Sequence, residues 1–493
     1  MSTNKRTTPA GGGEKIYTRC KLWQIMCYAL VPAVGNFFMI VFTMNAYIAN
    51  GGYGLAMAVA ASIASAGKLF DAVTDPIAAV IVPKINTRRF GAARPIIMTG
   101  YFIMALSTLG ALFIFPGTGM IPYALCYMGY VLGRTIQNQG KNIASNILTN
   151  DPKQRPLIAR CSQIYTLLLG MLLSLYRGKI LFPIFGGLTF SLLQVIGLTA
   201  VIACFIMDLL GCVALKDADS YENIAANYRP GVKISLADMV ALMKHNKAFL
   251  VGVISDSSDK LANEVASAAV VQTLLFGVLI GNYEFSGDIS IFTTITSIVL
   301  IFVITGMARR VGAGKAYLRY TKIACLVVIS LLIFMMTGLY TKVSVSPLPT
   351  AIFVILYAML TASKTTTNSC VITMYQDIAD YEFYLTGKYM PGLVVATITM
   401  VGKIVSAAGG IITGGLLAVI GYTSTSPQPG DPATPKLLYV TLFMWLGMML
   451  FGWVTSIIAM HWYPLTTEKM VEIQEKNLER RTENRAAAEA AKK

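Results

Sequence analysis

The sequence predicts an all-α polytopic membrane protein, with about twelve transmembrane helices in two six-helix halves around a central cavity. Three observations carry this. Of 493 residues, 55% are hydrophobic and only 13% charged, against about 25% charged in a typical soluble domain. Mean hydropathy is +0.62, so a purely soluble enzyme is excluded. Apolar runs near the ~20 residues that a bilayer-spanning helix needs recur along the whole chain. The loops between them alternate in charge.

Residues 1–21 are polar and basic, with Gly11-Gly12-Gly13. They lack the short apolar run and small-residue cleavage site of a signal peptide, so the first span is expected to insert and stay. The predicted spans are Leu22–Ala49, Gly54–Val82, Ile96–Phe115, Met120–Leu148, Ser162–Phe185 and Leu188–Leu215. A polar connector over 216–247 follows. Then come Phe249–Gly281, Ile289–Met307, Tyr320–Leu339, Leu348–Tyr375, Gly392–Ile420 and Leu437–Tyr463. The tail, 464–493, mixes both charge signs, ends Ala-rich and reads as a solvated cytosolic helix. The eight cysteines, mostly in apolar runs and without a C-x-x-C, read as small buried hydrophobes.

Forty basic against 24 acidic residues leave a net charge of +16. The excess follows topology rather than forming a nucleic-acid patch. Loops after even-numbered spans carry Lys84, Arg88, Arg89 and Arg94, then Lys153 and Arg155, then Arg309, Arg310, Lys315 and Arg319. The opposite loops are short and nearly uncharged, with Arg177 and Lys179 as the exception. The positive-inside rule then puts both termini in the cytosol of a cell (inner) membrane protein. A weak repeat supports two halves: Arg88-Arg89-Phe90-Gly91-Ala92-Ala93-Arg94 follows the second span and Arg309-Arg310-Val311-Gly312-Ala313-Gly314-Lys315 the eighth. Two parallel six-helix halves around a cavity define the major-facilitator fold. The expected organisation is a cytosolic segment (1–21), a six-helix bundle (22–215), a cytosolic connector (216–247), a second bundle (248–463) and a cytosolic tail (464–493).

Ionisable residues inside a membrane cost ~2.5–3.5 kcal/mol each on insertion scales and mark pathways. The second span reads Lys68-Leu69-Phe70-Asp71-Ala72-Val73-Thr74-Asp75-Pro76. Asp71 and Asp75, four apart, share one helical face. Two carboxylates that close repel unless a cation lies between them. With a hydroxyl such as Thr74 they supply the hard oxygens that Na⁺ prefers, and H⁺ can titrate them too. The alternative is a structural bridge between Lys68 and Asp71. The fourth span carries Arg134, Thr135, Asn138, Lys141 and Asn142, as expected of a cavity-lining helix. The seventh opens with Ser255-Asp256-Ser257-Ser258-Asp259-Lys260, then Asn263 and Glu264, which reads equally as cavity lining or as an Asp–Lys pair. The tenth contains Lys364 and Asn368, the eleventh Thr399 and Lys403. In the eleventh, Ser406, Gly410 and Gly414 recur every four residues and read as a close-packing face.

At these residues the sequence resembles the glycoside–pentoside–hexuronide:cation symporter family, the melibiose-permease relatives within the major facilitator superfamily. The motifs are Phe70 to Pro76, the loop Arg88 to Pro95, the loop Thr149-Asn150-Asp151-Pro152-Lys153-Gln154-Arg155, and Asp377-Ile378-Ala379-Asp380-Tyr381-Glu382 through Lys388, taken as a loop after the tenth span. Lys403 follows at the family's spacing, and the resemblance runs from the first span to the last. It implies a cation site of Asp71, Thr74, Asp75 and Thr135, with Lys403 between cation and sugar and Thr399 lining the cavity. It also shows departures. Gly35-Asn36 stands where the first helix has an acid, Asn138 replaces a second acid, and Asn142 a sugar-stacking tryptophan.

The expected function is therefore cation-coupled symport of a sugar or glycoside by alternating access, with Na⁺ or H⁺ as coupling ion and no other cofactor. The cavity residues are expected to be Asn36, Lys68, Arg134, Asn138, Lys141, Asn142, Lys364, Asn368, Thr399 and Lys403. Their positive balance points to an anionic solute such as a hexuronide, since Arg suits carboxylates; neutral glycosides stay open. Asp151, Arg155, Asp377 and Asp380 are the expected cytosolic gate, or else only the topogenic surroundings of the loops. A monomer in the lipid bilayer, without nucleic acid, is the expected unit. The rival is a major-facilitator carrier of another organic solute, lipid-like or drug-like, including export. No metal cluster, nucleophile elbow or large soluble domain suggests an enzyme.

Overall fold

The computed structural model describes residues 20–82, 85, 87, 89–149, 154–221, 242–311, 313–387, 391–423, 425–466, 468–477 and 479. A backbone in hydrocarbon must satisfy its hydrogen bonds within the protein, and helices do so within one segment. The apolar runs fold accordingly. The first half holds α1 (Leu22–Thr43), α2 (Met57–Ile81), α3 (Ala93–Ile114), α4 (Met120–Leu148), α5 (Gln154–Leu175) and α6 (Phe190–Ala214). The second holds α7 (Lys247–Ala266), α8 (Phe285–Val311), α9 (Ala313–Met336), α10 (Pro347–Thr386), α11 (Pro391–Val419) and α12 (Pro435–Met460). Among the described residues nine helices are long and apolar enough to cross a membrane, ten with the bent α7 pair. Polar residues from Arg134 to Ser145 dilute α4, while α8 stays apolar in sequence as far as Met307. No strand occurs among the described residues.

Four details differ from the sequence reading. Helix α7 does not run straight to Gly281; it breaks after Ala266 and resumes as Ala269–Leu279 at 52°. Helix α5 starts at Gln154, whose side chain ties back to the Cys20 backbone. Helix α10 continues to Thr386, so Asp377, Asp380 and Glu382 lie on helix rather than loop. Its last turns bury Ile378, Ala379 and Phe383, which gives them a reason to stay helical. The tail is not wholly solvated: Ile473 is buried, and Asn477 donates to the Asp380 carbonyl at 2.8 Å. Asp151 and the Arg155 side chain lie outside the described residues.

The halves meet through α2 against α11 and α5 against α8. Gly410 permits the first contact, since a Cβ there would strike Ser65 and stand 2.8 Å from the Ala61 carbonyl. Gly414 packs on Ala61 in the same way. The expected small-residue face of α11 is thus a packing face.

The core shows where the halves are joined. One end of the molecule is basic, with Arg89, Arg94, Lys216, Lys247 and Lys315. At the other, far end, a single apolar cluster runs through both halves, from Tyr47, Leu112 and Leu188 to Phe276, Phe353 and Trp445. At the basic end the clusters are separate. One holds Ile25, Tyr28, Ala93 and Leu215, the other Leu242, Phe249, Tyr317 and Ile378. Polar ties follow the same division. At the far end Lys179 pairs with Asp288 at 2.8 Å, Arg177 donates to Gln272 at 3.3 Å, and Tyr47 donates to the Pro427 carbonyl at 3.0 Å. Arg177 and Lys179, the two exceptions to the charge rule, are cross-half ties.

Candidate functional site

Helix α2 brings Asp71 and Asp75 to one face, and α11 and α4 close over it. The Lys403 ammonium lies 2.7 Å from Asp71 Oδ2 and also pairs directly with Asp75 Oδ2. On the other side the Thr135 hydroxyl lies 2.8 Å from Asp71 Oδ1 and 3.2 Å from Asp75 Oδ1. Thr135 itself is fully buried. Three helices from two halves thus converge on two carboxylates, and the amine occupies the position between them that repulsion demands be filled. The Thr74 hydroxyl turns away and donates to the Phe70 carbonyl at 3.0 Å.

Lys68 does not bridge to Asp71. It reaches across the halves to Glu264 on α7. Lys403 has taken the aspartates, and Lys68, one turn nearer the far end, faces α7 instead. The α7 acids are divided among partners. Asp256 pairs with Lys260 at 2.6 Å. Asp259 accepts from Tyr317 at 2.6 Å and Ser456 at 2.9 Å, tying α7 to α9 and α12.

These groups border a cavity of about 370 Å³ between the halves. Lys68, Asp71, Arg134, Asn263, Glu264 and Lys403 form its polar wall. Phe42, Tyr127 and Tyr130 form an aromatic wall, with Phe42 stacked on Tyr130 at 4.1 Å and 17°. Arg134 lies one helical turn after Tyr130 on α4. The two tyrosines were not singled out in the sequence, although they lie seven and four residues before Arg134, which was. The remaining cavity candidates fall elsewhere. Asn36 donates to Thr166 at 3.5 Å between α1 and α5. Lys141 donates to Asn138 at 3.3 Å. Asn142 and Asn368 are exposed, Lys364 is half-buried on α10, and the Thr399 hydroxyl donates to the Val395 carbonyl at 2.9 Å.

The gate candidates Asp377 and Asp380 are half-buried on the last turns of α10. Nearby Glu382, buried, accepts from Asn246 at 2.9 Å, and Asn246 caps α7 by accepting from the Phe249 N–H at 2.9 Å. One residue was missed altogether. Asp208, in the apolar run Ile206-Met207-Asp208-Leu209-Leu210, is fully buried on α6 and accepts from Gln137 at 2.7 Å. A lone acid inside a span was the available signal.

Comparison with known proteins places this geometry. A family model described as MFS/sugar transport protein matches residues 26–467. The chain is similar to a putative glycoside/cation symporter, YagG, of Escherichia coli (strain K12), 24% identical over 82% of this chain and 86% of that one. It is similar to a glucuronide carrier protein homolog of the same organism, 23% identical over 91% of this chain and 94% of the other. In fold it resembles the crystal structure of nucleoside transporter NupG, with a TM-score of 0.59 at 12% identity, covering 90% of this chain and 99% of that one.

Proposed function

The chain belongs to the MFS/sugar transport protein family, and from that premise we propose that it is a symporter that uses Na⁺ or H⁺ to drive a sugar or glycoside into the cell. It is a membrane transporter and not an enzyme; the solute, ion and direction are our reading. The observation that carries it is the meeting of Asp71, Asp75, Thr135 and Lys403 at the junction of the two halves. A coupling cation entering there replaces the Lys403 ammonium and takes oxygens from both carboxylates and from Thr135. Thr74 completes the set only by turning its hydroxyl. Release of Lys403 frees the contact between α2 and α11, so cation binding and rocking of the halves are linked.

The basic end faces the cytosol in this reading, with both termini, the connector 216–247 and the tail 464–493. The bundles are 22–215 and 248–463, in a single chain in the cell (inner) membrane. The separated clusters at the basic end then correspond to an inward-facing state. In this reading Asp151, Arg155, Asp377 and Asp380 are the gate that closes that side. The solute occupies the cavity between the aromatic wall and Lys68, Arg134 and Lys403. A sugar's C–H face suits Phe42, Tyr127 and Tyr130, while the cations suit a carboxylate. The name of the glucuronide carrier homolog favours a hexuronide. A lipid-like or drug-like cargo is the second reading, favoured by the apolar floor of Met39, Met57, Val131 and Leu417.

The test is uptake of a panel of labelled neutral glycosides and hexuronides, with and without Na⁺ and across a pH gradient. Asp75→Asn is expected to abolish concentrative uptake while membrane insertion is kept. Cation-driven accumulation at the wild-type level in that variant refutes the assignment.

A further inference from the structure

The cavity has a roof toward the far end, and an ion pair across the halves lies beneath it. Helix α7 breaks after Ala266, and the break and restart, Ser267, Ala268, Ala269 and Val270, line the cavity there. The restarted segment belongs to the far-end core through Val270, Leu274 and Phe276. Glu264 stands in the last turn before the break and pairs with Lys68 of α2. Its side chain passes α11 at Gly409, where a Cβ would stand 2.8 Å from Glu264 Cγ and 3.0 Å from its Cβ. The glycine therefore gives the glutamate its passage to the other half. Both members of the pair line the cavity, with side chains 25% and 39% exposed, so the pair is neither dry nor fully solvated.

Opening of the far end parts α2 from α7 and from α11. Lys68 then loses Glu264, and Asp71 and Asp75 lose Lys403, since both contacts join the two halves. Lys68 lies three residues before Asp71, and side chains three apart share a helical face. Asp71 is thus the acid that Lys68 meets on its own helix once Lys403 has left. Glu264 has Lys260 one turn back, but that ammonium is held by Asp256 at 2.6 Å. The exchange also balances charge: two aspartates face Lys68 and one coupling cation in place of Lys403.

We propose that Lys68 is the latch of the far end, paired with Glu264 while that end is closed and passed to Asp71 when it opens. The proposal rests on the transport reading in taking the two ends to open in turn, and adds the residues that set the balance between them. A partly exposed ion pair shifts such a balance a few-fold rather than by orders of magnitude. That suits a latch that must release in every cycle.

The reporter is Ala269→Cys, at the roof, read as its rate of modification by a membrane-impermeant maleimide. Right-side-out and inside-out vesicles are compared, with the chain lacking this cysteine as background. The side that labels slowly in the reporter chain is the far end, whichever way the protein is inserted. Glu264→Gln in the reporter is expected to speed far-side labelling roughly two- to fivefold, the range for a partly exposed pair, and to slow labelling from the basic side. Lys68→Gln loses Asp71 as well and should have the smaller effect. The double variant Lys68→Gln/Glu264→Gln should match Lys68→Gln, and Lys68→Arg should label as the reporter does. Far-side labelling at the reporter rate in Glu264→Gln, faster labelling from both sides, or a double variant faster than Glu264→Gln overturns the proposal. Uptake of the glycoside panel is measured in the same vesicles. If no solute is moved, the transport reading falls, while the labelling rates still decide the latch.

Discussion

Lys403 sits on two aspartates that its own helix does not carry, and Thr135 binds the same two from the other side. Spacing in the sequence placed Asp71 and Asp75 on one face, because residues four apart align on a helix. It also suggested Thr74 as a ligand, and there the structure differs. A threonine in mid-helix can donate to the carbonyl four residues back, and Thr74 does so. Thr135, also in mid-helix but on α4, faces the aspartates instead, and both its contacts are carboxylate oxygens. Thr135→Ala should therefore raise the half-saturating concentration of the coupling cation roughly tenfold or more, by loss of one oxygen to a charged centre. Thr135→Ser should stay near wild type. Initial uptake rates against cation concentration measure this, and an unchanged value for Thr135→Ala removes Thr135 from the site.

At the scale of the element, the basic loop after α2 has a structural role beyond setting orientation. The N-terminus of α3 presents unpaired N–H groups, as every helix start does. Asp219, from the chain just past α6, accepts from the Ala92, Ala93 and Arg94 N–H groups at 3.0, 3.2 and 2.7 Å. It also pairs with Arg94 Nε at 3.3 Å. Gly91 has φ of +72° and no room for a Cβ, since Asp219 fills that space. The Gly-x-x-Arg pattern is thus a distant helix cap. Asp219→Ala should destabilise the protein by about 2–4 kcal/mol, from the lost cap and the stranded Arg94. Its melting temperature in detergent should fall by several degrees, and a melting curve that overlays wild type contradicts the cap.

At the scale of the molecule, the two halves share one apolar core at the far end and keep two at the basic end. The Gly178 and Gly287 backbones approach closely at that shared end, where a Cβ at 178 would lie 3.6 Å from the Gly287 Cα. Cysteines at the two positions are within reach of a short crosslink. Gly178→Cys with Gly287→Cys should crosslink on oxidation, stop uptake and recover it with reductant. Full uptake by crosslinked protein would mean that the far end does not open during transport.

Composition, loop charge and motif spacing determined the membrane class, the twelve helical segments and the aspartate pair. Each depends on neighbours along the chain, which a sequence displays directly. Partners of charge depended on tertiary structure. Lys403 with Asp71 and Asp75, Lys68 with Glu264, Arg94 with Asp219 and Gln137 with Asp208 all join residues more than sixty positions apart. Asp208 was readable as an anomaly but not as a partner, because burial and the choice among several lysines and amides are settled only when helices pack. The same packing decided that the far end is closed and the basic end divided, since two halves of one composition can rock either way until their cores touch.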